Sequence, residues 1–323
     1  MASTKHARQA RQAAIASSKH GGGASSGGAG SVKVAPAASS DSSVSRRRSI
    51  LITGCGSGIG EDCARYFHSK GWVVLATCRT EADAKRLSRE GLTSFRLDYE
   101  DEASVIEGYS RGMQLVDGRL DVLFNNGAYG VPALVEDLPT DALRQIFEAN
   151  FFGWHTLTRL AVADMVKNGT GRIIQNSSVL GFVALPVRGA YNATKYALEG
   201  LTDTLRLEMR GTGVDVVLIE PGPIRTKIRQ NSYKHFQKWI DWRTSRRREF
   251  YEGRLIPRLA AKPATGRLRG GELLPRAVTL CVWKAATEGR PRLRYRVTRA
   301  TKVMAVAKRV LSGRMVDWMT KGG

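Results

Sequence analysis

The chain has 323 residues, 42% of them hydrophobic, enough for a sizeable core in one large α/β domain or two small ones. No window approaches the ~18 apolar residues that span a bilayer, and Cys55, Cys63, Cys78 and Cys281 show neither C-x-x-C spacing nor a paired framework, which argues against a disulfide scaffold or a zinc site and for reduced thiols. The net charge of +22 is unevenly placed: residues 1–48 carry +7, residues 49–224 carry −5 and residues 225–323 carry +20.

Residues 1–48 are low in large apolar side chains, and Gly21 to Gly30 holds only Gly, Ala and Ser. Such a segment cannot offset its ordering entropy, so a disordered basic extension is expected. Its Arg and Ser content, with Asp41 as the one acid, also fits an organellar transit peptide. The cytoplasm is the expected location, with a mitochondrial one left open by this extension and a peripheral membrane one by the basic ends.

From Ser49 onward, short apolar runs alternate with helical patterns. Strands are expected at Ser49–Thr53, Trp72–Cys78, Thr93–Leu97, Leu120–Asn125, Arg172–Ser177, Val214–Glu220 and Leu293–Val297. Helices fill the gaps, including Ile59–Ser69, Asp141–Lys167 and Gly189–Arg210. Buried strands separated by helices imply a doubly wound, Rossmann-type α/β fold with a parallel sheet of about seven strands and helices on both faces. Residues 49–299 form this expected catalytic domain. Residues 225–270, rich in cations and carrying Phe236, Trp239, Trp242, Phe250 and Tyr251, are expected to be an insertion covering a substrate cleft. Residues 300–323 read as a basic amphipathic helix whose Val303, Val306, Val310 and Leu311 stripe docks onto the domain.

The run T-G-C-G-S-G-I-G, Thr53 to Gly60, joins the first strand to the first helix. Gly54 permits the tight turn, while Gly58 and Gly60 let backbone amides and a helix N-terminus approach a pyrophosphate. Thr53, Gly54, Ser57, Gly58, Ile59 and Gly60 are therefore candidate dinucleotide contacts. The second strand ends A-T-C-R with no acid for a ribose 2′-hydroxyl. Arg79 stands there instead and could pair with a 2′-phosphate. NADP(H) is the expected cofactor, with NAD(H) left open.

Hydride reduction of a ketone needs a proton donor, and a tyrosine is slow in that role until a nearby cation favours its phenolate. Tyr191 and Lys195, in Y-N-A-T-K, are one helical turn apart. Alone this spacing means little. Ser178, thirteen residues before Tyr191 at the end of a strand, strengthens it, as do N-N-G-A (Asn125 to Ala128) at the same sheet edge and Asn150 in an apolar helix.

Together Thr53–Gly60, Asn125–Ala128, Asn150, Ser178, Tyr191–Lys195 and P-G-P-I-R-T (Pro221 to Thr226) resemble the classical short-chain dehydrogenase/reductase family, closely over residues 49–230 and more loosely beyond. The A-T-C-R strand end looks most like its 17β-hydroxysteroid dehydrogenase-like branch. The resemblance implies Tyr191 as acid/base, Lys195 as the group that lowers its pKa and bonds the nicotinamide ribose, and Ser178 as holder of the substrate carbonyl. It implies that Asn150 keeps a water in a relay behind Lys195, and that Asp98 contacts adenine. Asn125 and Gly127 would line the cofactor, and Pro221, Gly222, Ile224 and Thr226 would border its carboxamide. N-N-G-A replaces the usual N-N-A-G, and Gly56 stands where relatives often carry serine.

The expected activity is interconversion of a ketone or aldehyde and an alcohol on a small apolar substrate, by a homodimer or homotetramer. A non-catalytic dinucleotide-binding regulator is the alternative, disfavoured because the Tyr, Lys and Ser set is intact. A membrane-surface lipid or steroid reductase is a second, since basic ends can give weak electrostatic contact with anionic lipid. No helix-turn-helix, zinc finger or basic aromatic repeat points to specific nucleic-acid binding.

Overall fold

The computed structural model describes residues 46–261, 268 and 270–321. The expected disordered extension, and with it the transit peptide, lies outside these residues except at Arg46–Arg48. There Arg46 pairs with Asp121 at 2.6 Å, and the Arg48 guanidinium lies 4.5 Å from the Trp72 ring centroid.

Seven parallel strands form one sheet: β1 (Ser49–Ile52), β2 (Val73–Cys78), β3 (Thr93–Arg96), β4 (Val122–Asn125), β5 (Gly171–Asn176), β6 (Val214–Glu220) and β7 (Arg294–Arg296). Their order is β3-β2-β1-β4-β5-β6-β7. The chain runs outward from β1 to β3, then returns to β4 on the other side of β1. This reversal opens a crevice beyond the carboxyl ends of β1 and β4.

Alternation along each strand divides the core. Ile50, Ile52, Val74, Ala76, Val122, Phe124 and Ile174 face α1 (Gly58–Ser69), α2 (Glu81–Arg89) and the late helix Pro275–Thr287. Leu51, Leu75, Leu123, Ile173 and Val216 face α3 (Glu102–Gln114), α5 (Gly153–Lys167) and α6 (Gly189–Glu208). Both faces are thus covered by helices, as continuous apolar strands require. Cys55, Cys63 and Cys78 are fully buried in the first layer. Burial pushes the Cys63 thiol up to about 12 and the Cys78 thiol up to about 11.

The single helix expected over Asp141–Lys167 is two, α4 (Thr140–Phe147) and α5, joined through a π-helical turn at Glu148–Phe152 that contains Asn150. Past β6, α7 (Ile228–Trp239) and a helical stretch from Arg248 to Ala260 bury Phe236, Ile240, Tyr251, Leu255 and Leu259 against Tyr129, Ala142, Ile146 and Ala190. The helix Pro275–Thr287 is α8.

The C-terminal expectation is corrected. Two helices, α9 (Arg299–Val310) and α10 (Gly313–Thr320), replace one, because Leu311 and Ser312 are extended before Gly313. The valine stripe is not docked: Val303, Val306 and Val310 are 57%, 59% and 70% exposed, whereas Thr301, Ala305 and Ala307 are buried. Small side chains let α9 close on the loop after β6, where a Cβ on Gly222 would lie 2.2 Å from Thr298 Oγ1. A valine face could not approach that closely. No helix among the described residues is long and apolar enough to cross a membrane.

Candidate active site

Thr53 anchors the phosphate turn. Its Oγ1 accepts from the amides of Asn126 at 2.9 Å and Gly127 at 3.2 Å, tying the end of β1 to the end of β4. Gly54 has φ +67°, and a Cβ there would lie 2.5 Å from Gly127 Cα. Backbone meets backbone at that point, so Gly54 must be the smallest residue. Gly58 has φ +64° and lies under the Thr226 methyl, which a Cβ would meet at 3.1 Å. Ser57 precedes α1 in extended conformation and makes no side-chain cap, so the first amides of α1 lack an internal acceptor.

This turn floors a cleft of about 790 Å³. Its wall holds Thr53, Gly54, Ser57, Gly58, Ile59, Arg79, Asp98, Gly127, Ser178, Tyr191, Lys195, Pro221, Gly222, Ile224 and Thr226. Arg79 is exposed at the rim and makes no salt bridge among the described residues. Asp98 accepts from the Glu100 amide at 3.2 Å. The residues fit a phosphate-bearing dinucleotide: open helix amides meet a positive-φ turn, and the buried Asn176 Oδ1 in the wall has no hydrogen-bond partner.

Two asparagines stand elsewhere than expected. Asn125 is fully buried beneath the cleft, accepting from the Tyr99 hydroxyl at 2.6 Å and donating to Thr158 Oγ1 at 2.9 Å. The next residue, Asn126, is in the wall, donating to Thr53 O and accepting from Asn176 Nδ2, both at 2.9 Å. Strand pleating sends consecutive side chains to opposite sides. Asn150 spends both ends of its amide on Tyr129: Nδ2 donates to the carbonyl at 2.8 Å, and Oδ1 accepts from the amide at 3.1 Å. The π-turn that carries it thereby holds the loop after β4.

At the chemical end, Tyr191 and Lys195 lie on one face of α6 beside Ser178. Ser178 neighbours Tyr191, and its Oγ accepts from the Leu180 amide at 3.1 Å. Burial pushes the Tyr191 phenol up to about 12, against the neighbouring Ser178 hydroxyl and the charge of Arg188. Lys195 Nζ donates to Asn176 O at 2.8 Å and lies 5.6 Å from the Tyr191 ring centroid. Burial pulls its pKa down to about 7, and Glu199 opposes this. Lys195 is thus an internal ammonium aimed along the cleft, with a phenol and a hydroxyl in line.

Trp154 escapes a reading of the sequence. Its indole lies under the ammonium, 4.1 Å from Nζ to ring centroid, and its Nε1 donates to Gly127 O at 2.8 Å. One ring therefore supports both Lys195 and the turn after β4. No motif marks it, because a tryptophan in a buried helix reads as core.

A parallel sheet with a glycine phosphate turn at its reversal point and a Ser, Tyr and Lys set across the crevice defines a nicotinamide-binding type of oxidoreductase site. A sequence model of the family described as short chain dehydrogenase matches residues 48–237. The chain belongs to the short-chain dehydrogenase/reductase family of enzymes. It is 37% identical over 277 residues to the uncharacterized oxidoreductase YbbO of Escherichia coli (strain K12), covering 85% of this chain and 95% of that one. It is 32% identical over 196 residues to dehydrogenase/reductase SDR family member 7B of Xenopus tropicalis, covering 57% and 63%. The fold is similar to that of a closed serine dehydrogenase complexed with NADP+ (TM-score 0.65, 22% identity, 78% of this chain and 95% of that one). It is also similar to a Burkholderia phymatum short-chain dehydrogenase in complex with NAD (TM-score 0.66, 22% identity, 82% and 92%).

Proposed function

We propose that the protein is an NADP(H)-dependent carbonyl reductase or alcohol dehydrogenase with Tyr191 as its acid/base. The observation that carries this is the convergence of Tyr191, Ser178 and Lys195 on one cleft wall, with the Lys195 ammonium fixed at 2.8 Å from Asn176 O. When bound, the nicotinamide supplies or accepts the hydride. Ser178 holds the carbonyl oxygen, and the Tyr191 hydroxyl gives that oxygen its proton, or removes it in the reverse direction. Lys195, backed by Trp154, lowers the cost of the phenolate so formed. The amides of Ser57 to Gly60 hold phosphate, Arg79 faces the 2′-phosphate, and Asp98 faces the adenine side.

Among neighbours in fold, the serine dehydrogenase and ElxO were solved with NADP, and the Burkholderia protein with NAD. Arg79 in place of an acid favours NADP(H) here, with NAD(H) as the weaker alternative. An apolar substrate body is supported by Val131, Leu180 and Leu185 in the wall and by the aromatic layer around Phe236 and Tyr251 behind it. The A-T-C-R strand end supports the 17β-hydroxysteroid dehydrogenase-like branch. Exposed Val166 on α5, and Tyr196, Leu201 and Leu207 on α6, support a homodimer or homotetramer built on these helices.

The test is Tyr191→Phe, which should lower kcat by about 10²–10⁴-fold while NADPH binds within a few-fold of the parent. Near-normal turnover on a panel of ketones and aldehydes would end the reading.

A second reading places this reductase at a membrane surface. Val303, Val306, Val310, Met315 and Trp318 are exposed on α9 and α10, beside Lys302, Arg309 and Arg314. Apolar and basic faces together suit an anionic interface. Sedimentation with phosphatidylserine vesicles that fails even at low salt would exclude it.

A further inference from the structure

Arg188 is an unusual cation. It is partly buried in the cleft wall and caps the start of α6, three residues before Tyr191. Its side chain makes no hydrogen bond or ion pair among the described residues. Burial lowers its proton affinity, and Arg258 and Arg229 push the same way. A guanidinium nonetheless stays charged under any ordinary condition. Arg229, at the start of α7, is in the same wall. Neither Arg229 nor Arg258 has a carboxylate partner among the described residues.

The two cations that act on Arg188, Arg229 and Arg258, share its sign. Lys227 and Lys234 line the same cleft. Of the acids in the wall, Asp83 and Asp98 follow β2 and β3, Glu100 accepts from Gln145 Nε2 at 2.7 Å, and Glu272 is taken by Arg225 at 3.2 Å; none is among the charges acting on Arg188. A partly buried guanidinium with Arg229 and Arg258 as its charged neighbours is costly. An oxyanion arriving there would relieve both the desolvation and the repulsion.

The backbone is shaped to place it. Val187 has φ +57°, a left-handed conformation that a β-branched residue adopts only under constraint. The constraint is visible: Ala133 N donates to Val187 O at 3.2 Å, and Ala133 bridges Arg188. Strain held in place by an isolated bridge to a neighbouring loop, immediately before a cleft residue, is common where a side chain must be aimed. Val131, Leu180 and Leu185 line the same cleft and offer apolar surface.

We propose that Arg188, supported by Arg229, forms an oxyanion subsite in the substrate cleft, so that the substrate is an amphipathic carbonyl or alcohol with a carboxylate or phosphate near its reacting carbon. This rests on the reductase reading of the cleft and narrows its substrate class. An apolar body lies along the aliphatic wall while the anion meets the guanidinium, which fixes the carbonyl against Ser178 and Tyr191. Charge-assisted pairing at a partly desolvated site gives about 10- to 100-fold in affinity.

Two measurements test it. In the first, keto acids, the matching keto-alkyl phosphates and the neutral methyl esters are compared as substrates with NADPH, for the parent, Arg188→Met and Arg188→Lys. The parent should favour one of the anionic series over the ester by at least about tenfold in kcat/KM. Arg188→Met should bring that ratio near one, chiefly through KM, and Arg188→Lys should keep part of it. The preferred series tells carboxylate from phosphate. A parent without preference, or an Arg188→Met variant that retains it, overturns the subsite. In the second, calorimetry follows decanoate, decyl phosphate and decanol binding to the same proteins. Tighter anion binding that Arg188→Met abolishes supports the subsite even if no carbonyl is turned over, an outcome that would sink the reductase reading alone. Equal binding of all three overturns the subsite.

Discussion

The Lys195 ammonium lies 4.1 Å from the centroid of the Trp154 ring, and that indole donates its Nε1 proton to Gly127 O at 2.8 Å. Helix α6 and the turn after β4 are thereby joined through one side chain of α5. Burial pulls Lys195 down to about 7, and the ring face is one of few groups opposing that loss of charge. A desolvated cation–π contact is worth about 2 kcal/mol. Trp154→Leu should therefore move the pH above which kcat falls downward by about one unit, since one unit is about 1.4 kcal/mol. Trp154→Phe should move it less. Identical pH–rate profiles for parent and Trp154→Leu would remove the ring from the mechanism.

Arg79 is the cation at the end of β2, exposed on the rim of the cleft. On the proposed reading, its removal takes away a charge that only the phosphorylated cofactor would use. Arg79→Ala should raise KM for NADPH by about tenfold or more and leave KM for NADH nearly as it was. An unchanged NADPH-to-NADH ratio would mean that selectivity is set elsewhere.

His235 stacks on Tyr129 at 3.7 Å, and burial, together with the charge of Arg79, pushes it down to about 4. Lys238 pushes the same way and Glu100 opposes. Its folded value lies below its unfolded one of about 6.5. The unfolded chain then binds more protons in that window. The stability it contributes is complete above about pH 6.5 and is lost as the pH falls toward 4. His235→Phe keeps the ring and removes the titration, so its Tm should fall less than the parent's between those limits. Parallel Tm curves would refute this account of acid sensitivity.

Gly54→Ala places a methyl group 2.5 Å from Gly127 Cα at φ +67°. Neither backbone can yield without parting β1 from β4. A loss of about 2–4 kcal/mol in unfolding free energy is expected, with weaker NADPH binding. A variant that kept parental stability would show that the turn is softer than its contacts imply.

The sheet was legible because parallel strands buried on both faces are nearly continuous apolar runs, as at Ile50–Ile52 and Val214–Ile219. The phosphate turn and the Tyr191–Lys195 pair were legible because spacing within one turn or one helix survives folding unchanged. Asn126 was not, since which of two adjacent asparagines faces the cleft depends on the pleat at the strand's last residue. The exposed valines of α9 were misread for a different reason. A helix docks by whichever face approaches closest, and here Thr298 and Thr301 fit against Gly222 while the valines face outward. Arg188 carried no signal at all, because its meaning lies in the absence of acids around it in space. Trp154 was hidden by looking like ordinary core.

The three buried thiols of the nucleotide half have a practical consequence. Cys55 of the glycine turn, Cys63 of α1 and Cys78 at the end of β2 are sealed in the core, held protonated by burial. An alkylating reagent needs thiolate and access, so the closed molecule is inert at these positions and each modification event records one opening of that half. The protein thus carries its own clock for local opening, without any added label. Bound dinucleotide should slow that clock, and the factor by which it does so measures cofactor affinity without any knowledge of the substrate.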